Sequence, residues 1–302
     1  MFGGKQIEML ASALRPHDIP LRIALWNGQA YDLGRFPRAT IRVKSEAAVR
    51  RLVRPSLDSL GEAYVNGELD AEGDLDSLIH SAAGLARHFG KMRPGWIELF
   101  RRTQHSRAVD AEAIAYHYDV SNDFYRLWLD REMVYSCAYF QDERDSLEQA
   151  QLRKIDHVLR KIRLRPGQRL LDIGCGWGAL ILRAARDYGA RALGITLSEA
   201  QYELARQRIA EAGLEDRCEV RLGDYRDLSG RFDRVTSIGM FEHVGLKNLP
   251  AYFSRIHDLL ADDGIVMNHG ITSTDPDSRE VGWGGGDFIG RYVFPHGELP
   301  YI

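Results

Sequence analysis

Three stretches carry side chains whose types and spacing could do chemistry: LLDIGCGWGAL at 170–180, MVYSCAYF at 133–140 and GMFEHVG at 239–245. In the first, Gly174, Gly176 and Gly178 let a backbone turn tightly and approach a ligand closely. The same letters satisfy the dinucleotide fingerprint through Gly174, Gly176 and Ala179, so the loop alone does not name its ligand. Charge separates the readings. A dinucleotide would set its pyrophosphate here, and Asp172, two residues before the first glycine, would repel it. Asp172 suits a cationic ligand instead, such as the ammonium end of S-adenosyl-L-methionine. The next strand ends GITLSEAQ, with Thr196 where a dinucleotide binder offers an acid to the ribose. These features favour S-adenosyl-L-methionine over NAD; the plain alternative makes Asp172 a carboxylate near a helix start with no ligand.

Cys137 sits among Tyr135, Tyr139, Phe140 and Met133. It could be a nucleophile, a metal ligand, a weakly polar wall of a site, or a core filler, the usual fate of a free cysteine. Cys137, Cys175 and Cys218 are odd in number and widely spaced, with no CxxC pair, which excludes a structural zinc motif and reads as reduced cytosolic thiols. Cys175 and Cys218 read as packing. Glu242 and His243 follow the fourth strand of an alternating pattern, where open α/β sheets place ligands; the alternative is a solvated, capped strand end. His269 lies within a strand, and the plain alternative for it is a satisfied core histidine.

The elements that must position these groups fall into two parts. From about residue 109, strands and helices alternate: RLLDIG, ARALGIT, CEVRLGD, FDRVTSIGM and GIVMNHGI are five strands separated by helix-length crossovers such as ALILRAARDYG and LPAYFSRIHDLL. That pattern predicts a doubly wound, mostly parallel α/β sheet covered on both faces. Residues 1–108 read as a small α+β domain. LRIALWNGQAYDLG sets Asn27-Gly28 between two alternating runs, a hairpin signal. ATIRVKS continues as a strand, Ser45 can cap the helix EAAVRRLV, and SLGEAYVNGELDAEGDLDSLI reads as helical pieces interrupted by Gly67 and Gly73.

Composition is that of an ordinary globular chain, 44% apolar and 27% charged over 302 residues, and a formal charge of −3 points away from nucleic acid. The N-terminus lacks the pattern of a secretory signal, and no apolar run is long enough to span a bilayer. Residues 87–107 hold six Lys/Arg against one acid, with Trp96, Ile97, Leu99 and Phe100 mixed in. Such a segment suits an anionic membrane surface, or serves as an amphipathic linker helix with a solvated basic face.

Taken in order, HYDVSNDFYRLWLD, YSCAYF, LLDIGCGWGAL, GITLSEAQ, GMFEHVG and YVFPHGELP make the chain resemble the cyclopropane-fatty-acyl-phospholipid synthases and the mycolic acid cyclopropane synthases. The resemblance runs from about residue 110 to the end. More loosely, the first hundred residues resemble the lipid-binding domain of the phospholipid-acting branch. The resemblance implies a Rossmann-like class I methyltransferase fold with S-adenosyl-L-methionine and bicarbonate as cofactors. It also implies methyl transfer to a cis double bond of a phospholipid acyl chain, with bicarbonate removing a proton as the cyclopropane ring closes. Carried over by position, Cys137, Glu242 and His269, with the backbone of Ile271, match the bicarbonate site. Tyr135, Ser136, Gly174, Gly176, Leu197 and Gln201 match cofactor positions; Asp172, Gly178 and Thr196 go with the two loops, and Asp224 and Tyr225 with the adenine end. On this reading Cys137 is a wall of a small anion site, and Tyr135, Tyr139 and Phe140 shield a carbocation.

The family pattern extends beyond GELPYI by tens of residues that supply a tyrosine to the bicarbonate site and strands beside the fifth. GIVMNHGI is therefore expected at a sheet edge, and catalysis is expected to depend on that later segment. The implied setting is cytoplasmic, peripheral to the inner face of the membrane. A homodimer suits a peripheral lipid enzyme, although nothing in the sequence measures it. Methyl- or methylene-branching of the acyl chain, methylation of a small molecule, and non-catalytic lipid or cofactor binding stand as alternatives.

Overall fold

The hairpin signal and the strand–helix alternation belong to different sheets. In the computed structural model, which describes residues 2–53, 56–89, 121–274, 288, 292 and 298–301, the chain divides into two compact units, residues 1–102 with 279–294 and residues 103–278 with 295–302. Residues 90–107 of the basic stretch lie outside the described residues.

The first unit contains α1 (Phe2–Leu14), β1 (Leu21–Leu25), β2 (Ala30–Asp32), β3 (Ala39–Val43), α2 (Val49–Val53), α3 (Leu57–Val65), β4 (Leu69–Gly73) and α4 (Leu75–Phe89). Its sheet has the order β2-β1-β3-β4, with β1 parallel to β3 and antiparallel to β2. Ile7, Ala11 and Leu14 recur along one side of α1 and bury with Leu21, Ile23 and Leu25, as a 3.6-residue period meeting a two-residue period requires. The Asn27-Gly28 hairpin forms, and Ser45 Oγ accepts the Ala48 N–H at 3.3 Å ahead of α2. One expectation fails. LDAEG is β4, not a helical piece: it pairs antiparallel with β3, setting Asp70 opposite Arg42 and Glu72 within 2.7 Å of the same guanidinium. Phe288 belongs with the first unit and donates its N–H to Asp58 at 2.5 Å.

The second unit contains α5 (Asn122–Arg126), α6 (Leu147–Lys161), β5 (Arg169–Ile173), α7 (Ala179–Tyr188), β6 (Arg191–Thr196), α8 (Glu199–Glu211), β7 (Cys218–Leu222), β8 (Phe232–Ile238), α9 (Leu249–Leu259) and β9 (Leu260–His269). The sheet is parallel throughout, in the order β7-β6-β5-β8-β9, with β9 at an edge among the described residues. Successive strand residues face opposite ways. Leu170 buries with Ile155, Leu159 and Ile181 from α6 and α7, while Leu171 and Ile173 bury with Tyr252 and Ile256 from α9. Asp172, in step with Leu170, therefore emerges on the α6 side at the end of β5. The strand order reverses between β5 and β8, the place where open α/β sheets bind ligands. Among the described residues no helix is long and apolar enough to cross a membrane.

Candidate active site

A cavity opens where the ends of β5, β6 and β8 meet the loop at 133–136. It leaves about 160 Å³ for the centres of water-sized molecules, roughly ten times what one water needs. Its floor is the glycine loop. Gly174 and Cys175 both donate their N–H to the Ile195 carbonyl, at 2.9 and 3.0 Å, which lays the loop against β6. The approach is close: a Cβ on Gly194 would come within 2.7 Å of the Cys175 side chain. Gly176 takes φ +55 and faces open space, so a side chain there would be strained and would project into the void. Gly178 lies outside the cavity lining, at the start of α7 against Ala205.

Asp172 is 4% exposed, and its Oδ1 accepts the Thr236 hydroxyl at 2.7 Å. Burial pushes its pKa up to about 6; the Thr236 hydrogen bond and the charge of Lys154 hold back part of that rise. Lys154 comes from α6, on the face that also buries Gln151, Ile155 and Val158. Its ammonium donates to Ser136 Oγ at 2.5 Å, and burial lowers its pKa to about 8 against the pull of Asp172, Asp130 and Cys137.

The 133–136 wall is held from three sides. Gln151 Nε2 donates to the carbonyls of Val134 and Ser136, at 3.1 and 2.9 Å. Asp130 accepts the Val134 N–H at 2.8 Å, and Arg208 donates to the carbonyls of Arg131 and Glu132. These contacts keep Met133 at φ +54, a region costing about 1 kcal/mol or more for a side-chain-bearing residue. The Tyr135 ring packs against Tyr125 and Trp128, at centroid separations of 5.6 and 5.2 Å, and burial raises its pKa.

At the far end, Thr196 Oγ1 donates to Gln201 Oε1 at 2.8 Å, and Leu197 lines the cavity beside them. Asp224 grips the Arg226 guanidinium at 2.5–2.9 Å, and the Tyr225 ring meets Tyr252 edge-on at 5.5 Å.

Glu242 sits in one 3₁₀ turn, Phe241–His243, four residues beyond β8. It is 1% exposed, which rules out a solvated strand end. Its Oε1 accepts the Ile271 N–H at 2.6 Å, whereas its buried Oε2 has no hydrogen-bond partner among the described residues. The His269 carbonyl accepts the Gly239 N–H at 2.8 Å, tying the end of β9 to the start of this turn. Glu298 closes it from outside, donating its N–H to the Glu242 carbonyl and accepting the Leu246 N–H at 2.6 Å.

Of the residues singled out in the sequence, Tyr135, Ser136, Asp172, Gly174, Gly176, Thr196, Leu197, Gln201, Asp224 and Tyr225 line one cavity. Glu242 and Ile271 are joined beside it, near the lining residues Gly239, Met240 and His243, and His269 reaches this turn through its carbonyl on the Gly239 N–H. The His269 side chain is exposed, so it is not a core histidine. Cys137 is exposed, and among the described residues no hydrogen bond links it to Glu242. The three aromatics separate: Tyr135 lines the cavity, but Tyr139 stacks on His157 of α6 at 5.0 Å and Phe140 is exposed. Cys218 is core; Cys175 is buried in the loop, where burial lifts its thiol well above the usual range. Sequence reasoning missed Lys154 and Met240. The signal for Lys154 was a cation on the apolar face of the helix at 147–161.

A parallel sheet of this order, with a glycine loop closing its first strand and an acid at that strand's end, is the class I S-adenosylmethionine-dependent methyltransferase fold. Residues 105–302 match the mycolic acid cyclopropane synthetase family, and the chain belongs to it. Residues 9–93 match a domain of unknown function, DUF7884. The chain is 48% identical over 302 residues to a probable fatty acid methyltransferase of Pseudomonas putida, covering 98% of this chain and 75% of that protein. It is 38% identical over 273 residues to the cyclopropane-fatty-acyl-phospholipid synthase of Escherichia coli K12, covering 87% and 68%. The crystal structure of mycolic acid cyclopropane synthase CmaA1 with SAH and CTAB aligns with a TM-score of 0.59 at 40% identity, covering 64% of this chain and 70% of that one.

Proposed function

We propose that this chain transfers the methyl group of S-adenosyl-L-methionine to the cis double bond of an unsaturated phospholipid acyl chain and forms a cyclopropane. The observation that carries the reading is a pair of buried carboxylates on neighbouring sites. Asp172 lies in the glycine-loop cavity, and Glu242, with one oxygen unpartnered, lies in the turn beside it.

Each group has a task in that chemistry. Asp172 is suited to the cofactor's ammonium, which would stabilise the ionised carboxylate that burial disfavours. Gly174 and Gly176 leave backbone at the ligand's surface, Thr196, Leu197 and Gln201 form the far wall, and Asp224 and Tyr225 the adenine end. The unpartnered Glu242 Oε2 fits bicarbonate, because a buried carboxylate oxygen accepts the O–H of that ion. Ile271 bonds to Glu242 and the His269 carbonyl to Gly239; in this proposal His269 and Cys137, the latter from the 133–140 loop, complete the anion site. When bound, S-adenosylmethionine supplies the methyl group and bicarbonate a base. The chain's own residues do the rest: they align the alkene, a poor nucleophile, and exclude the water that would trap a cation. Tyr135 offers an aromatic face for that cation, with Trp128 and Tyr125 behind it.

The first unit is the proposed lipid-facing part, with the division near residue 108 and contact to an anionic membrane surface through 87–107. The proposed setting is cytoplasmic and peripheral, and a homodimer is compatible with it. One observation favours a second reading: the Pseudomonas putida relative, more identical to this chain than the Escherichia coli one, carries the name of a fatty acid methyltransferase. The same methylated cation can instead lose the proton of the methyl-bearing carbon and leave a methyl-branched alkene, or, after a 1,2-hydride shift, lose a methyl proton and leave a methylene branch.

The experiment is incubation with methyl-labelled S-adenosylmethionine, bicarbonate and anionic vesicles of a cis-monounsaturated phospholipid, followed by mass spectrometry of the acyl chains. A gain of one methylene unit that survives mild hydrogenation supports ring closure. A product that takes up hydrogen supports branching. No label in lipid, with labelled cofactor bound, refutes both.

A further inference from the structure

The cavity wall holds two acid–base pairs, and they differ. Asp224 and Arg226 close on each other through four contacts of 2.9 Å or less, so each charge is met inside the protein. Lys154 and Asp172 line the same void and feel each other's charge, yet no ion-pair contact joins them among the described residues. A half-buried cation and a buried anion that line one void without pairing match a ligand fragment carrying both signs, as an α-amino acid does. Coulomb attraction grows as water leaves the gap, so two such groups recognise a zwitterion far better than either recognises a neutral chain.

We infer that Lys154 binds the α-carboxylate of the cofactor's amino-acid end, facing Asp172 at its α-ammonium; this rests on the reading of the cavity as the S-adenosylmethionine site. Local geometry supplies the donors. An ammonium has three N–H bonds, and Lys154 gives one to Ser136 Oγ, leaving two. Ser136, having accepted from Lys154, keeps its own hydroxyl proton to donate to the same carboxylate. Gln151 fixes this arrangement by holding the Ser136 carbonyl at 2.9 Å from the neighbouring turn of α6. Burial has brought the Lys154 pKa to about 8, so a carboxylate arriving beside it also returns the charge stabilisation lost with water.

The test is calorimetric binding of three ligands: S-adenosylhomocysteine, its decarboxylated analogue S-adenosylthiopropylamine, and 5′-methylthioadenosine, which lacks the whole amino-acid end. The unaltered protein binds the first about 10- to 100-fold more tightly than the second, the value of one charged hydrogen bond. Lys154→Met erases that preference and leaves affinity for the other two within about twofold. Equal loss for all three ligands makes Lys154 a packing residue and overturns the assignment. Should Lys154→Met fail to fold, equal binding of the first two ligands by the unaltered protein overturns it as well. If the unaltered protein binds none of the three, the cofactor reading itself has failed.

Discussion

Replacing Asp172 by asparagine separates what this carboxylate costs the fold from what it gives the ligand. The amide keeps an oxygen for the Thr236 hydroxyl, now 2.7 Å from Oδ1, and removes only the charge. Burial has raised the Asp172 pKa from 3.8 to about 6; at about 1.4 kcal/mol per unit, roughly 3 kcal/mol of stability is forfeited when it ionises in the fold. The pull of Lys154 is already counted, because the raised value is what remains after that pull. The sign is set by proton binding. Between 3.8 and about 6 the folded chain holds a proton that the unfolded chain has released, so the stabilising neutral form is fully present below 3.8 and lost as pH rises through about 6. An amide imitates the neutral form at every pH. Asp172→Asn should therefore gain up to about 3 kcal/mol near pH 7 and only a small fraction of that near pH 4. For a unit of this size that is several degrees in melting temperature at neutral pH. The assay is thermal and urea unfolding at both pH values, paired with S-adenosylhomocysteine titration. Equal gains at both pH values, or a loss at neutral pH, would refute the reasoning, as would full retention of ligand affinity.

Gly176→Val should abolish cofactor binding while costing about 1–2 kcal/mol of stability, because a β-branched residue at φ +55 is strained but meets no protein atom; retained binding in a titration refutes the loop assignment. Glu242→Gln should lower turnover on the order of 10²–10⁴-fold with cofactor affinity unchanged, since the amide still accepts the Ile271 N–H but offers a donor where Oε2 stands. Equal loss of both would move Glu242 into the cofactor pocket. Of the three thiols, only exposed Cys137 should react quickly with a maleimide, as burial raises the Cys218 pKa to about 12 and lifts that of Cys175 well above the usual thiol range. Fast labelling of two or three thiols by intact mass would contradict the burial described.

How far the sequence carried depended on how local each feature was. The five strands and the glycine loop were legible because each is written in neighbouring residues: apolar runs, then small residues at a strand end. Strand β4 was not, because LDAEG shows no clear alternation and becomes a strand through ionic partners on β3, some 30 residues back. The residues proposed for an anion site were named by resemblance, and the structure adds what resemblance lacks, the burial of Glu242 and the tie from its Oε1 to Ile271. Tyr139 misled for the same reason that β4 did. Its place beside Cys137 in the chain says nothing of His157, whose ring takes it. Lys154 was passed over because lysine is a surface residue by habit, and only the helix face it shares with Ile155 and Val158 shows otherwise.

The contact between Gly194 and Cys175 bears on how this protein can change over evolutionary or laboratory time. The floor of the site rests on the bare backbone of a neighbouring strand, with 2.7 Å where a methyl group would need to fit. Position 194 lies mid-strand, away from any reacting atom, yet in a saturation library it should tolerate as little as the glycines of the loop itself. Residues lining the open side of the cavity can drift to suit new substrates. The floor of the cavity cannot, so variation in chemistry within such a scaffold must be recruited from the walls.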